Sequence, residues 1–323
     1  MGEFELLARV RERLPPGGPR LRVGSGDDAA VTVPAGATAT SVDALVEGVH
    51  FQRGQASPRQ IGHKALAAAL SDLAAMGAAP GEAYVVLGLP PDVGEDECLD
   101  LLGGMVDLAA ATGTSLAGGD LTRAAQLFLA LTVVGHAAVT EDLVSRAGAR
   151  AGDALVLTGT VGGAAAGLAL LRNSTLHAVE KEALRARQLE PEARLGAGRA
   201  LAGAGATAMI DVSDGLGADA GHLAEQSGVA LRIDAAAVPL APGVREVAAL
   251  TERDPWRLAL GGGEDYELLA TVPPGRVEEA KRAVREAEGI ELTAIGEAAA
   301  GEGVEIRLPG GEALEPEGFD QLG

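Results

Sequence analysis

The chain has 323 residues, which at roughly 150 residues per domain predicts two domains. Hydrophobic residues make up 47% and charged residues 22%, so the composition is that of a folded globular protein and excludes a disordered polyelectrolyte. The net charge of −20 repels nucleic-acid phosphates and anionic lipids, so we expect neither nucleic acid nor membrane as a partner. Such a chain binds a polyanionic substrate only when cations reverse the local charge, and Mg²⁺ is the usual cation for this.

Cysteine content and the chain's start bear on its location. Cys98 is the single cysteine and has no disulfide partner, which favours a reducing compartment. The first residues lack the basic start and apolar stretch of a secretory signal. The longest run without charged or polar residues, 161–171, is shorter than the ~20 residues of a spanning helix. We therefore expect a cytoplasmic protein.

The first half of the chain predicts strands alternating with helices. The helix starting at Pro58 has Ser57 as its N-cap, and Gly77 stands where its C-cap is expected. The predicted elements are strands at 37–43, 83–89 and 127–135 and helices at 58–76 and 94–112.

A turn-rich segment at 146–153 precedes a second series of elements and suggests a boundary near Gly148. The predicted domains are residues 1–147 and 148–323. The second contains strands at 154–157, 207–210, 229–233 and 268–272, and helices at 162–171, at 174–188, after Asp214 and after Arg276. The fold class is α/β, with mixed helices and strands in both domains.

Common nucleotide and hydrolase motifs are missing from the sequence. There is no Gly-Lys pair and hence no Walker A loop, and there is no H-E-x-x-H, paired C-x-x-C or G-x-S-x-G motif. Residues 24–29 match G-x-G-x-x-A, but two aspartates lie in this loop and a β-branched run follows where a helix should begin. If the chain binds a nucleotide, it does so without these motifs.

Aspartates recur at turns and in apolar surroundings. Asp27 and Asp28 are adjacent at a glycine turn, where their repulsion is costly without a cation, although a solvated, capped turn is the alternative. Asp43 ends a predicted strand. Asp72 lies among alanines and leucines of a predicted helix, where either a metal or an ion pair with Lys64 would compensate its charge.

Further acidic motifs follow glycines or strand ends. The Gly-Gly-Asp at 118–120 predicts a turn at which amides approach a phosphate. Asp-Val-Ser-Asp-Gly at 211–215 marks a strand-to-helix junction, the usual ligand-binding edge of an α/β sheet, with helix capping by Ser213 or Asp214 as the alternative. Three glycines before Glu264 indicate a close backbone approach. His50 follows the Asp43 strand, where an imidazole reaches a phosphate or simply lies in an exposed loop.

A series of short motifs occurs in order along most of the chain: Gly-Asp-Asp-Ala-Ala at 26–30, Ser-Val-Asp at 41–43, Gly-Val-His-Phe at 48–51, Lys-Ala-Leu-Ala at 64–67, Ser-Asp-Leu-Ala-Ala-Met-Gly-Ala at 71–78, Gly-Gly-Asp at 118–120, Asp-Val-Ser-Asp-Gly-Leu at 211–216, and Gly-Gly-Glu-Asp-Tyr-Glu-Leu at 262–268. Together they resemble the thiamine-monophosphate kinases, which share a superfamily with aminoimidazole ribonucleotide synthetase and selenophosphate synthetase. The motifs that distinguish the kinases within that superfamily are Gly-Val-His-Phe, Ser-Asp-Leu-Ala-Ala-Met-Gly and the last one, Gly-Gly-Glu-Asp-Tyr-Glu-Leu.

The resemblance implies ATP-dependent phosphorylation of thiamine monophosphate to thiamine diphosphate, by direct in-line transfer with several Mg²⁺ ions. It implies an aminoimidazole ribonucleotide synthetase-like fold, in which the N-terminal sheet pairs with its twin in a homodimer and a C-terminal α/β domain follows. Two alternatives stay open: another ATP-using member of the superfamily, with a different acceptor, and a non-catalytic maturation protein that kept the fold.

The resemblance also implies roles for individual residues. The expected catalytic residues are Asp28, Asp43, Asp72, Asp120, Asp211 and Asp214. The expected metal ligands are these six aspartates with Asp27, Ser41 and Val42, the valine through its main-chain oxygen. The expected ATP contacts are Gly119, Asp120, Arg146 and Ser213. The expected contacts to thiamine monophosphate are His50, Glu264 and Phe319.

Overall fold

The computed structural model describes residues 3–25, 29–34, 36–316 and 318–319. They divide into two compact units, the first within Met1–Leu73 and Ala78–Thr140 and the second within Ala74–Gly77 and Glu141–Gly323. Both units contain helices and strands, which confirms the predicted class. No helix in the described ranges is long and apolar enough to cross a membrane.

The first unit is built around a four-stranded sheet. Its elements are α1 (Glu3–Arg13), β1 (Leu21–Val23), β2 (Val31–Thr32), β3 (Ala37–Val46), α2 (Pro58–Ala75), β4 (Ala79–Leu89), α3 (Glu95–Thr112), β5 (Ser115–Arg123) and β6 (Phe128–Ala137). The sheet order is β3-β6-β4-β5, so β3 and β5 are its edges, while β1 and β2 form a separate ribbon. Strands β4 and β5 are parallel, and the pairs β3 with β6 and β4 with β6 are antiparallel.

Helix α2 is largely buried. It is rich in alanine and leucine, both strong helix formers, and between residues 61 and 75 only His63 and Asp72 are not buried. The predicted N-cap is confirmed: Gln60 Oε1 accepts the Ser57 main-chain N–H at 3.0 Å, and Ser57 Oγ accepts the Gln60 N–H at 3.3 Å. Gly77 follows the helix end with φ of +67°.

The second unit contains a seven-stranded sheet. Its elements are β7 (Ala154–Thr158), α4 (Gly163–Arg172), α5 (Lys181–Leu189), α6 (Leu195–Gly203), β8 (Ala208–Asp211), α7 (Leu216–Ser227), β9 (Ala230–Asp234), α8 (Val244–Leu250), α9 (Pro255–Leu260), β10 (Leu268–Val272), α10 (Val277–Glu288), β11 (Leu292–Ala299), β12 (Gly303–Arg307) and β13 (Ala313–Leu314). The order is β13-β12-β9-β11-β7-β10-β8, with β12 and β9 parallel. Leucines of α7 and apolar residues of β7, β8 and β10 pack into one core, which holds the ends of β8 and α7 in place.

Some elements differ from the sequence-based expectation. Residues 118–120, predicted as a turn, lie inside β5, because β5 pairs with β4 over its length. The predicted helix 174–188 begins only at Lys181. Elements α6, α8, α9 and β11 to β13 were not predicted. The three helices are too short to show a clear helical period. Strand β12 alternates between exposed and less exposed residues, but over only five residues.

Candidate active site

Ser41, Asp43 and Asp72 come together on one face of the first sheet. Ser41 and Asp43 point to the same face of β3, and Ser41 Oγ donates a hydrogen bond to Asp72 Oδ2 on α2. Asp43 Oδ1 accepts the N–H of Ala44 at 2.7 Å. The sequence also allowed an ion pair between Asp72 and Lys64, which lies two helical turns earlier, about 12 Å along the helix axis. The hydrogen-bond partner of Asp72 in the structure is Ser41.

Val42 and Asp120 lie on the opposite face of this sheet. Val42 alternates with Ser41 and Asp43 and is 70% exposed. Asp120 pairs with Val86, which is 36% exposed, on the far edge strand β5. Three strand spacings separate the edges, roughly 14 Å, so the sheet does not bring Asp120 to Asp43.

Gly119 permits a close backbone approach inside β5. A Cβ added there would lie 2.0 Å from Val85 O, so only glycine fits this position. Its neighbour Asp120 is exposed. The Gly-Gly-Asp segment therefore presents a side-chain-free stretch of strand beside an accessible carboxylate.

The loop after β3 fixes the His50 ring. His50 N–H donates to Val46 O at 3.0 Å, and Val46 N–H donates to His50 Nδ1 at 3.0 Å. The buried Lys64 donates to His50 O at 3.3 Å. Because Nδ1 accepts a main-chain N–H, the neutral ring carries its proton on Nε2. His50 is thereby prepared to donate a hydrogen bond through Nε2.

In the second unit, the junction between β8 and α7 is organised by Asp219, which the sequence analysis missed. This residue is 1% exposed, and its Oδ2 accepts the N–H groups of Ser213, Asp214 and Gly215 at 3.0, 3.1 and 3.0 Å. The start of α7 is therefore capped by Asp219, not by Ser213 or Asp214. An aspartate four positions after a Ser-Asp-Gly turn is the signal that could have indicated this contact.

The junction is also a concentration of negative charge. Burial, together with the charges of Asp211 and Asp214, raises the pKa of Asp219 to about 8. Mg²⁺ needs only one or two carboxylates, with phosphate and water oxygens completing its shell, so Asp211 and Asp214 suit it. Within the described ranges, no three carboxylate, histidine or cysteine side chains form a metal cage. Two predicted ligands, Asp27 and Asp28, lie outside those ranges.

The glycine-rich segment before β10 runs against the same junction. A Cβ added to Gly263 would lie 2.3 Å from Ser213 O, which identifies the close approach that the glycines indicated. Glu264 N–H donates to Ser213 O at 2.8 Å, and Tyr266 N–H donates to Val212 O at 2.9 Å. Glu264 and Tyr266 have φ of +66° and +50°, a left-handed conformation that costs free energy and is often found at functional sites.

Two side chains of helix α5 form hydrogen bonds with the residues that follow these glycines. Gln188 Nε2 donates to Glu264 Oε2 at 2.5 Å, and Arg187 donates to Glu267 Oε1 at 3.2 Å. The fully buried Glu267 also accepts two hydrogen bonds from Arg194, at 2.8 and 2.7 Å. The sequence carried no local signal for these contacts.

Phe319 and Arg146 lie at opposite ends of α7. Phe319 N–H donates to Asp214 O at 2.9 Å, so its 55% exposed ring is next to the junction. Arg146 O accepts a hydrogen bond from Ser227, the last residue of α7, at 2.8 Å. The helix is about 18 Å long, so the structure does not bring Arg146 next to Ser213.

Comparison with known proteins gives one family. The family model for the AIR synthase related protein N-terminal domain matches residues 26–137, and that for its C-terminal domain matches residues 150–309, which confirms the predicted two-domain fold. A thiamine-monophosphate kinase of Mycobacterium tuberculosis is 39% identical over 275 residues, 84% of this chain and 80% of that protein.

Solved structures agree. The thiamine-monophosphate kinase from Stenotrophomonas maltophilia K279a has a TM-score of 0.85 and 37% identity, covering 97% of this chain and 98% of that one. The structure of AaThiL complexed with AMPPCP and TMP has a TM-score of 0.80 and 32% identity, covering 99% and 97%. The chain therefore belongs to the thiamine-monophosphate kinase family of phosphotransferases.

Proposed function

We propose that this chain phosphorylates thiamine monophosphate to thiamine diphosphate with ATP, by direct in-line transfer assisted by several Mg²⁺ ions. The observation that carries the proposal is the complex of AaThiL with AMPPCP and TMP, a protein 32% identical to this chain over 99% of its length. Its two ligands correspond to a nucleotide donor and a phosphate acceptor, as in-line transfer requires.

The acidic side chains are the proposed metal ligands. Asp211 and Asp214 lie in the charged junction of the second unit, and Ser41, Asp43 and Asp72 share a face in the first. Asp27, Asp28, Asp120 and the main-chain oxygen of Val42 complete the proposed set. When bound, Mg²⁺ neutralises phosphate charge and orients the donor and acceptor phosphates. The carboxylates hold that charge in place, and Asp219 keeps the loop that carries Asp214 in position.

The remaining site residues are proposed to bind the two substrates. Gly119, Asp120, Arg146 and Ser213 contact ATP. His50 donates from Nε2 to the phosphate of thiamine monophosphate. Glu264 and the exposed ring of Phe319 contact the thiamine rings. Positioning of two polyanions, without covalent catalysis, supplies most of the rate.

Three further expectations remain proposals. Exposed Val42 and Val86 on one sheet face support pairing of that sheet in a homodimer. The family-model matches leave residues 138–149 between them, which supports a domain boundary between 147 and 148. The cytoplasmic location rests on the lone cysteine.

A product assay tests the function. Purified protein is incubated with ATP, Mg²⁺ and thiamine monophosphate, and thiamine diphosphate is measured by chromatography, with and without a chelator. Asp72→Asn removes a proposed ligand, and Asp100→Asn makes the same change at an exposed position of α3 as the control. We expect metal-dependent thiamine diphosphate from the wild type and from Asp100→Asn, and a loss of product in Asp72→Asn.

The contrary outcome is equally clear. A folded protein that binds Mg-ATP but makes no thiamine diphosphate would refute the proposal. It would favour another acceptor of the superfamily, or a non-catalytic maturation role.

A further inference from the structure

Gln188, in the last turn of α5, has an unusual environment. The residue is 3% exposed, and its Nε2 donates to Glu264 Oε2 at 2.5 Å. Its Oε1 is buried and has no hydrogen-bond partner among the residues that the structure describes. The amide orientation follows from chemistry, since only the nitrogen end can face an ionised carboxylate.

Packing alone does not explain a glutamine here. A buried acceptor without a donor is destabilising, whereas methionine has a similar length and would fill the same space without that penalty. Among the residues that the structure describes, the one favourable polar contact of this side chain is to Glu264. A buried polar group that lowers stability is typical of residues retained for function.

The main chain of Glu264 is itself held in a fixed position. Its backbone has φ of +66°, and its N–H is held by Ser213 O at 2.8 Å, so the main chain is fixed at the metal-site junction. Its half-buried side chain extends from this point toward α5. The hydrogen bond from Gln188 restricts the rotamers that the Glu264 carboxylate can adopt.

We infer that Gln188 is a positioning residue, which holds the Glu264 carboxylate in the orientation that binds the thiamine part of the substrate. The inference rests on the proposed function, since it takes Glu264 as a contact to thiamine monophosphate. Gln188 acts through Glu264 and affects recognition of the phosphate acceptor, not of ATP.

Gln188→Met tests the inference. Loss of a hydrogen bond to a charged group predicts a rise of roughly tenfold in KM for thiamine monophosphate, with KM for ATP unchanged. Because the unpartnered acceptor is removed, Tm stays the same or rises. Gln226→Met makes the same substitution at an exposed position of α7 and should change neither KM nor Tm.

A double-mutant cycle separates positioning from a structural role. In a Glu264→Ala background, Gln188→Met should have no further effect on KM, because its target is gone. The inference is overturned if the two substitutions have additive effects on KM for thiamine monophosphate. It is also overturned if Gln188→Met alone leaves that KM unchanged, whether or not its Tm falls. If Gln188→Met does not fold, Gln188→Glu replaces it, since a second carboxylate beside Glu264 should raise KM for thiamine monophosphate even further.

Calorimetric titration with thiamine monophosphate distinguishes the two possible failures. A wild type that does not bind it, with or without Mg-ATP, overturns the proposed function. A wild type that binds it, with Gln188→Met binding equally well, overturns the positioning role alone.

Discussion

Replacement of Asp219 by alanine should destabilise the second unit and disorganise the junction between β8 and α7. The Oδ2 atom of Asp219 accepts three main-chain N–H groups, at 3.0 to 3.1 Å. Ser213 and Asp214 are half-buried, so water can partly replace their bonds, but Gly215 is buried and cannot be hydrated. At about 1 kcal/mol for each bond, the free energy of unfolding of Asp219→Ala should be about 2 to 3 kcal/mol lower than that of Asp219→Asn, which keeps an acceptor oxygen.

Asp219→Asn is the matched variant, because it removes the same ionisable group and keeps an acceptor oxygen. The difference between the alanine and asparagine variants therefore measures the three contacts without the effect of charge. Urea unfolding, followed by fluorescence of the single Trp256 in the same unit, gives the midpoints in metal-free buffer. Glu225→Ala, exposed on α7, is the surface control.

The reasoning is refuted if the alanine variant unfolds at the same urea concentration as the asparagine variant. It is supported if alanine shifts the midpoint to lower urea with an unchanged m value. In separate calorimetric titrations with added Mg²⁺ and without urea, we expect Asp219→Ala to weaken ATP binding, since Asp214 loses its main-chain anchor.

Two further predictions concern His50 and Asp265. His50→Asn keeps an acceptor for Val46 N–H but loses the Nε2 donor, so it should fold like the wild type and raise KM for thiamine monophosphate roughly tenfold. His50→Gln keeps a donor at the Nε2 position but loses the acceptor for Val46 N–H, so it should lower Tm and keep more of the affinity. Asp265 accepts the N–H groups of Gly162 and Ala164 at 2.6 and 3.1 Å, and burial raises its pKa to about 7. The folded state holds this proton more tightly than the unfolded state does. The contribution of Asp265 to the free energy of unfolding therefore falls as pH rises from about 4 to 7. Asp265→Asn cannot titrate, so it should flatten that part of the plot of stability against pH.

Thermal unfolding and steady-state kinetics decide the His50 pair, and equal Tm and KM in both variants would contradict the assigned hydrogen bonds. For Asp265, unfolding is measured by urea at several pH values. A difference between wild type and variant that does not change from pH 4 to 7 would exclude the raised pKa.

Local patterns predicted much of the fold. Helix α2 was predicted with both ends because its caps, Ser57 and Gly77, lie next to the segment that they terminate. The buried strands β7, β8 and β10 were recognised from short apolar runs. The Gly-Gly-Asp segment was misread, because glycines are typical of turns, and only its pairing with β4 makes it a strand.

The candidate site divides in the same way. Its carboxylates were visible as aspartates in apolar or glycine-rich surroundings, a chemical signal that each short motif carries alone. The supporting residues were not visible: Gln188 contacts Glu264 across 76 residues of sequence, and Arg194 contacts Glu267 across 73. Their side chains are ordinary for exposed helices, and nothing adjacent to them marks their partners.

By itself, therefore, the sequence determined the class of fold, the family and the acidic groups that suit Mg²⁺. Only the tertiary structure decided which groups meet: Ser41 with Asp72, Asp219 with the loop before α7, and Gln188 with Glu264. Capping and hydrophobic periodicity act between neighbours in the chain, so they leave a pattern in the sequence. Contacts between distant segments depend on how whole elements pack, and that packing is a property of the complete core.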